Sequence, residues 1–595
     1  MGEIMGDTVD RPADVNQALR VETANGMLIA YDVPIPMDDG LVLRADVFRP
    51  LAEGRYPVLL SYGPYGKWLK FQDGYKGAWD IMASRYPDTT AGSTNTYQNW
   101  EVADPEKWIP DGYVCVRVDS RGAGRSPGVI DLGSPRETQD LYDCIEWAGV
   151  QPWSNGKIGL SGISYYATSQ WKVAALNPPH LAAICVWEGF ADSYRESSRH
   201  GGIQCVFIKN WLDMQIRTVQ HGLGENGPKS AMNGEWVCGP QTLTSEQLAA
   251  NRGDTWADFR NHPLLDDYYR KTTPDFSAIT VPLLSAGNWG GQGMHLRGNV
   301  EGFVRSSSPQ KWLELHGGEH WTSYYTDYGV ALQKRFFGHF LKGEDNGWET
   351  QPPIQLQVRH PDERFVLRHE QAWPLPQTQW TKFYPDGSDF SLKTTPPTQS
   401  TAITFDALGE GVTFMTEPLE EELELTGPAA ATLSIASSTS DADLFLVVRL
   451  FDAQGDEVLF DGAIDPKQPL AQGWLRASHR KLDPKLSTFY RPLYTHDDPQ
   501  PLTPGERVEL QVEIWPTCIV IPKGYRLGFT VLGRDYDHGG PAATLSNMKN
   551  PMRGCGPFVH DDQDDRPPAI FGGQTTLFLD AQSPASVLLP VIPAA

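Results

Sequence analysis

The chain has 595 residues, enough for about three or four domains at the usual ~150 residues each. With 40% hydrophobic and 21% charged residues it has globular usage, which excludes a disordered or fibrous chain. A formal charge of -24 argues against a nucleic-acid partner, because phosphate neutralisation needs clustered Lys and Arg, and it disfavours anionic membrane surfaces. No run approaches the ~20 apolar residues of a bilayer span. The segment Met1 to Asp10 lacks the basic and apolar regions of a secretory signal. Seven cysteines form no Cys-x-x-Cys pair, so they read as small buried hydrophobes in a reducing compartment. The expectation is a soluble cytoplasmic protein with no cofactor and no metal.

In chain order, strand and helix signals alternate first. Leu41–Phe48, Pro57–Tyr62 and Tyr113–Val118 read as strands, and Glu137–Gly149 carries apolar residues at helical spacing. Lys157–Leu160 reads as a strand, followed by a helix from Ser164 that Asn177-Pro-Pro179 must stop, then the apolar run Leu181–Trp187. This rhythm predicts a mostly parallel sheet with right-handed crossovers. It breaks down between about Phe190 and Thr280, where helical stretches such as Val206–Ile216 imply an inserted cap. Strands resume at Val281–Ala286 and Gln310–Leu315, and a helix near Gly329–Leu341 closes the unit. From Gln355 onward short β-rich runs (Ala430–Ile435, Leu444–Leu450, Val508–Ile514) predict an all-β sandwich.

The segment Gly159-Leu-Ser-Gly-Ile-Ser-Tyr-Tyr-Ala-Thr168 carries the chemistry. A strand runs directly into a helix, and the small residues of Gly162-Ile163-Ser164 permit the strained turn that lifts a serine hydroxyl off a sheet edge. There the backbone N–H of Tyr165 can face an oxyanion. A lone Gly-x-Ser is by default a helix N-cap; the strand–turn–helix context favours a nucleophile. The usual second glycine is replaced by Tyr166.

A serine nucleophile needs a base, and Trp312-Leu-Glu-Leu-His-Gly-Gly-Glu-His-Trp321 offers two histidines after a late strand. His320, in the glycine-softened loop, is favoured as the base, and His316 reads as a packed strand-end residue. The same string matches an inverted zincin pattern, but Gly317-Gly318 opposes the helix that metal binding would need.

These residues carry a resemblance to the cocaine esterase and X-Pro dipeptidyl-peptidase superfamily (CocE/NonD hydrolases), which includes α-amino-acid ester hydrolases and glutaryl cephalosporin acylases. It rests on Gly63-Pro-Tyr-Gly66, Asp119-Ser-Arg-Gly-Ala-Gly-Arg-Ser126, Trp153–Tyr166 with Gln170-Trp171, Ala286-Gly287 and Trp373-Pro-Leu-Pro376, and spans nearly the whole chain. The resemblance implies an α/β-hydrolase fold with an inserted helical cap and a C-terminal jelly roll. The expected limits are 1–188 and 276–348 for the hydrolase domain, 189–275 for the cap and 349–595 for the β domain. It further implies Ser164 as nucleophile, His320 as base, and an oxyanion hole made by the Tyr65 hydroxyl and the Tyr165 N–H.

The pattern breaks at one point. Family members place the triad aspartate after the late strand, where this chain has Gly290 within Ser285-Ala-Gly-Asn-Trp-Gly-Gly291. Glu188, at the carboxyl end of the strand following the nucleophile helix, is the first choice for the missing acid. Glu319, Glu301 and Asp192 are its rivals. Asp119 precedes Ser164 in the chain and reads with Arg121 as a structural ion pair or loop brace. Trp187, Trp211 and Trp289 are expected to line an apolar or aryl substrate pocket, with Met214 and Trp236 near its mouth. Asp441-Ala-Asp443 offers too few oxygens for calcium.

The resulting expectation is a serine esterase or amidase acting on a small molecule through an acyl-enzyme. Two alternatives stand beside it: a catalytically degenerate hydrolase-fold binding protein, motivated by Gly290, and an acyltransferase using the same serine. The cap and jelly roll would also offer an interface for a homo-oligomer.

Overall fold

A computed structural model describes residues 20–544 and 550–593. The reading of the first ten residues therefore lies outside the described residues. Eleven strands build the first sheet: β1 (Arg20–Ala24), β2 (Met27–Pro36), β3 (Val42–Pro50), β4 (Tyr56–Gly63), β5 (Val114–Asp119), β6 (Ser154–Ile163), β7 (Leu181–Trp187), β8 (Leu283–Asn288), β9 (Lys311–His316), β10 (Ile354–Arg359) and β11 (Phe365–Glu370). Their spatial order is β1-β2-β3-β5-β4-β6-β7-β8-β9-β10-β11. Every pairing from β5 to β10 is parallel, and antiparallel strands flank the run on both sides. The parallel strands are buried on both faces, which is why Val114–Asp119 and Leu181–Trp187 read as continuous apolar runs rather than alternating ones.

The crossovers supply helices that include α1 (Pro135–Gly149), α2 (Tyr165–Ala174), α3 (Leu296–Arg305) and α4 (Asp327–Phe337). Helix α1 begins where sequence chemistry says it should, with the Ser134 side chain accepting from Glu137 N and Pro135 in the first turn. Helix α2 ends at Ala174, three residues before Asn177 turns into the left-handed region ahead of Pro178.

Between β7 and β8 the chain forms short helices, including Phe207–Trp211, Ser245–Ala250 and Thr255–Asn261. The expected helix over 206–216 is an α-turn at Phe207–Trp211 that widens into a π-turn at Leu212–Ile216. A minimal hairpin, Arg199–His200 against Ile203–Gln204, was not visible in the sequence.

The first sheet continues past the boundary expected at 349: β10 and β11 extend it, with Leu313–Leu315 pairing in parallel with Ile354–Leu356. The second sheet starts at Gln379. This twelve-stranded sheet is almost wholly antiparallel, with long strands at Leu423–Ser437 and Val508–Ile521 around its own apolar core. A further cluster, containing Trp289, Leu356, Trp373, Cys518, Val520 and Ile592, joins the two units. All seven cysteines are free and buried. No helix among the described residues is long and apolar enough to cross a membrane.

Candidate active site

Ser164 sits between β6 and α2 at φ +57°, a left-handed conformation that costs a non-glycine residue on the order of 1–3 kcal/mol. Its hydroxyl makes no capping bond, so the helix-cap alternative fails. The turn is pinned from below, because Ser164 N donates to the carbonyls of Trp187 and Glu188 at 3.1 Å each. Gly162 is required here: at its φ of +149° a Cβ would stand 2.4 Å from the Tyr166 Cβ.

Glu188 follows β7 at φ +48°, a second strained residue beside the first. Its carboxylate is completely buried and joins two imidazoles, His320 Nδ1 to Oε2 at 2.7 Å and His316 Nε2 to Oε1 at 3.0 Å. Asn288 steadies the same Oε1 from 3.2 Å. The far ring atoms extend the chain: His316 Nδ1 meets Glu314 at 2.7 Å, and His320 Nε2 meets Glu101 Oε1 at 3.1 Å. The two histidines of the His-Gly-Gly-Glu-His string thus converge on Glu188, through a loop rather than a helix face.

Burial would raise the Glu188 carboxyl, but the two imidazoles outweigh it and hold it at about 2. Burial opposes charge on His320, yet Glu188 and Glu101 lift it to about 10; Glu314 and Glu188 likewise lift His316 to about 9. Glu101 is pushed up by burial to about 7, against the pull of His320.

The serine itself meets a different histidine. Ser164 Oγ lies 3.2 Å from His295 Nε2. His295 stacks between Phe190 and His320, with centroids at 6.1 and 5.1 Å, and its buried Nδ1 has no partner. Burial holds its pKa well below the usual range. His320, the expected base, makes no hydrogen bond to Ser164 in this arrangement, although both border the same small cavity with Tyr65, Glu101 and His295.

The rival acids are engaged elsewhere. Glu319 pairs with Arg85, Glu301 with Arg491 at 2.7 Å, and Asp192 with Arg195. Asp119 is a loop brace but not the partner of Arg121: it accepts from the Lys67 and Arg125 backbone N–H groups at 2.6 and 2.8 Å, while Arg121 pairs with Asp140 at 2.7 Å. Asp441 and Asp443 are likewise spoken for, Asp443 by Arg476 and Arg566. Gly290 has a steric explanation. A Cβ there would stand 2.6 Å from Gly462 Cα and 2.7 Å from Ala463 N, main-chain atoms of the β domain that cannot swing away. The same loop accepts from His320 N through the Ala463 carbonyl at 2.8 Å.

Above Ser164 opens a cavity walled by Tyr65, Leu132, Phe190, Phe207, Trp211 and Met294, among others. Trp211 lines it as expected. Trp187 and Trp289 do not. Trp187, the inward-facing end of β7, stacks on His316 at 5.3 Å, and Trp289 is buried in the cluster between the units with Nε1 on Gln357 O at 2.9 Å. Tyr65 packs edge-on against Tyr165, Tyr166 and Trp211. At the far wall the Tyr165 hydroxyl donates to Glu137, and Lys172 Nζ donates to Gly133 O at 2.7 Å.

Glu101, His295, Asn288 and Glu314 were not found from sequence. Glu101 stands in an aperiodic loop. His295 follows the glycine-rich turn after β8, where no periodic pattern singles out an imidazole.

The profile of the X-Pro dipeptidyl-peptidase (S15) family matches residues 39–322, and that of the X-Pro dipeptidyl-peptidase C-terminal non-catalytic domain matches residues 346–550. Cocaine esterase from Rhodococcus sp. (strain MB1 Bresler) is 25% identical over 84% of this chain and 89% of its own. A crystal structure of a CocE/NonD family hydrolase from Staphylococcus aureus is 30% identical, covers 95% of this chain and 94% of its own, and superposes with a TM-score of 0.80. An aminopeptidase from the marine sediment archaeon Thaumarchaeota archaeon, at 15% identity and a TM-score of 0.66 over the full chain, shares the fold. With its two parts matched by the S15 and X-Pro dipeptidyl-peptidase C-terminal profiles and 95% of its length by a CocE/NonD hydrolase at 30% identity, the chain belongs to the CocE/NonD family and is a serine hydrolase.

Proposed function

We propose that the protein cleaves a carboxylic ester or amide through an acyl-enzyme on Ser164, with His320 as general base and Glu188 as its orienting acid. The observation that carries this reading is the buried 2.7 Å bond between His320 Nδ1 and Glu188, beside a serine on a strained strand-to-helix turn. A carboxylate on Nδ1 fixes the tautomer that leaves Nε2 to take a proton, and it stabilises the imidazolium that forms. Of the four carboxylates weighed for this role, only Glu188 touches an imidazole of the site.

In the resting arrangement His320 Nε2 faces Glu101 and the Ser164 hydroxyl faces His295. Productive contact requires Oγ to move from His295 to His320, a rotamer-scale change of the kind resting enzymes often need. Ser164 then attacks the carbonyl, the Tyr65 hydroxyl and the Tyr165 N–H receive the oxyanion, and His320 returns its proton to the leaving group. Water, activated by the same base, releases the acid product. The aromatic walls of the cavity favour an apolar or aryl group on the substrate. We read the first unit as an α/β-hydrolase domain, the insertion before β8 as its cap, and the C-terminal unit as a jelly roll.

The 3.2 Å bond between Ser164 and His295 favours a second reading, with His295 as the base. It lacks an acid on Nδ1 and is held neutral by burial, which would leave its imidazolium unsupported. Labelling with a fluorophosphonate probe separates the two. Under the first reading a single adduct forms on Ser164, is lost in His320→Ala and persists in His295→Ala. Loss only in His295→Ala transfers the role, and absence of any adduct in the unmodified chain sinks both.

A further inference from the structure

Away from the nucleophile, the hairpin of the helical insertion brings His200 and Cys205 against His560 of the β domain. All three are at most 1% exposed, and their ligating atoms lie within 4.8 Å of one another. His200 Nδ1 and His560 Nε2 face each other at 2.8 Å. The far side of His560 is fixed, since its Nδ1 meets Asp535 Oδ1 at 2.7 Å, so Nδ1 carries the proton and Nε2 presents a lone pair toward His200. A hydrogen bond between the rings would then need the His200 proton on Nδ1, stripping Nε2, which is buried without a hydrogen-bond partner. The other tautomer, with the proton on Nε2, points a second lone pair at the first, so neither form satisfies both rings.

We propose that a zinc-class divalent cation binds His200 Nδ1, His560 Nε2 and the Cys205 thiolate, pinning the hairpin of the insertion to the β domain. Two imidazoles and one thiolate suit a borderline-soft ion in tetrahedral coordination, with water as a fourth ligand. Asp535 behind His560 is the orienting carboxylate that metal-bound histidines usually have. Metal–nitrogen bonds of ~2.0–2.1 Å and a metal–sulfur bond of ~2.3 Å set the nitrogens ~3.3 Å apart and the sulfur ~3.6 Å from each. The rings must therefore open by ~0.5 Å and the sulfur approach by at most ~1.2 Å. The Cys205 thiol binds the cation as thiolate, so its proton is released on binding. The consequence reaches the pocket, because Phe207, two residues beyond Cys205, forms part of its wall and packs on Phe558, two residues before His560.

The test uses the full chain, stripped with a chelator and titrated with Co²⁺. One equivalent should bind, with the absorption of a four-coordinate ion and a thiolate-to-cobalt charge-transfer band in the near ultraviolet, and Zn²⁺ should displace it. Cys205→Ser should remove the band, and Asp535→Asn should weaken binding by ~10–100-fold. A second measurement needs no variant: Zn²⁺ should raise the thermal midpoint of the stripped chain. A charge-transfer band that survives Cys205→Ser, or a stripped chain that shows neither the band nor the Zn²⁺-dependent rise, overturns the proposal.

Discussion

Replacing Glu101 by Gln removes one of the two carboxylates that face His320 while keeping a group able to hydrogen-bond at the same place. At the observed 3.1 Å and an effective dielectric of ~20, a full charge there interacts with the imidazolium by about 5 kcal/mol, or roughly 4 pH units. Two features reduce this. Glu101 itself titrates at about 7, so it is not fully ionised across the neutral range, and Glu188 remains to support the imidazolium. A shift of ~1–3 units is the realistic range for one neighbouring charge. The sign follows from the protonation states. His320 must be neutral to accept the Ser164 proton, its pKa is raised to about 10 by the carboxylates, and activity is therefore limited on the acid side. Without Glu101 the imidazolium is less favoured, so the acid limb of kcat/KM should move down by ~1–3 units. The assay is kcat/KM against pH for an activated aryl ester, corrected for its spontaneous hydrolysis. An acid limb that stays put, or moves upward, would refute the claim that Glu101 tunes the base.

The remaining expectations concern the same site. Ser164→Ala should lower turnover by ~10⁶-fold, and near-unmodified activity in the purified variant would remove the mechanism. Glu188→Gln should cost ~10⁴-fold in kcat through loss of the tautomer, read on the same ester; a loss below tenfold would mean another group orients His320. Tyr65→Phe should cost on the order of 10²–10³ in kcat with little change in KM, the mark of a donor used only in the transition state. Gly290→Asp, which restores the family residue, should not substitute for Glu188. Its Cβ meets immovable backbone at Gly462 and Ala463, so thermal unfolding should report a loss of ~1–3 kcal/mol, and an unchanged midpoint would show that the loop yields.

The local signals were readable because they are short-range. Glycines at 159 and 162 permit a turn whatever surrounds it, the apolar runs at 114–119 and 181–187 mark buried parallel strands, and Asn177-Pro-Pro179 stops a helix by its own covalent geometry. Those facts gave Ser164, its sheet and the strand end that carries Glu188. That the strands at 354–359 and 365–370 extend the first sheet could not be read from the sequence, because a strand's pattern does not name its partner; only pairing with 313–315 does. The partners of Glu188 could not be chosen from spacing, since His316 and His320 are separated from it by more than a hundred residues and reach it across the end of the intervening strand β8. Trp187, Trp211 and Trp289 look alike as letters, and the packing of the two units decides that only Trp211 meets the cavity.

By itself, the sequence determined the strand-to-helix turn, the serine on it and the order of the two large units, because each depends on residues close together in the chain. Tertiary structure decided which carboxylate meets which imidazole, why Gly290 cannot carry the acid, and where the insertion meets the β domain. Those are long-range contacts, set by a β-domain loop packing against the carboxyl edge of the sheet, and no spacing within the chain encodes them.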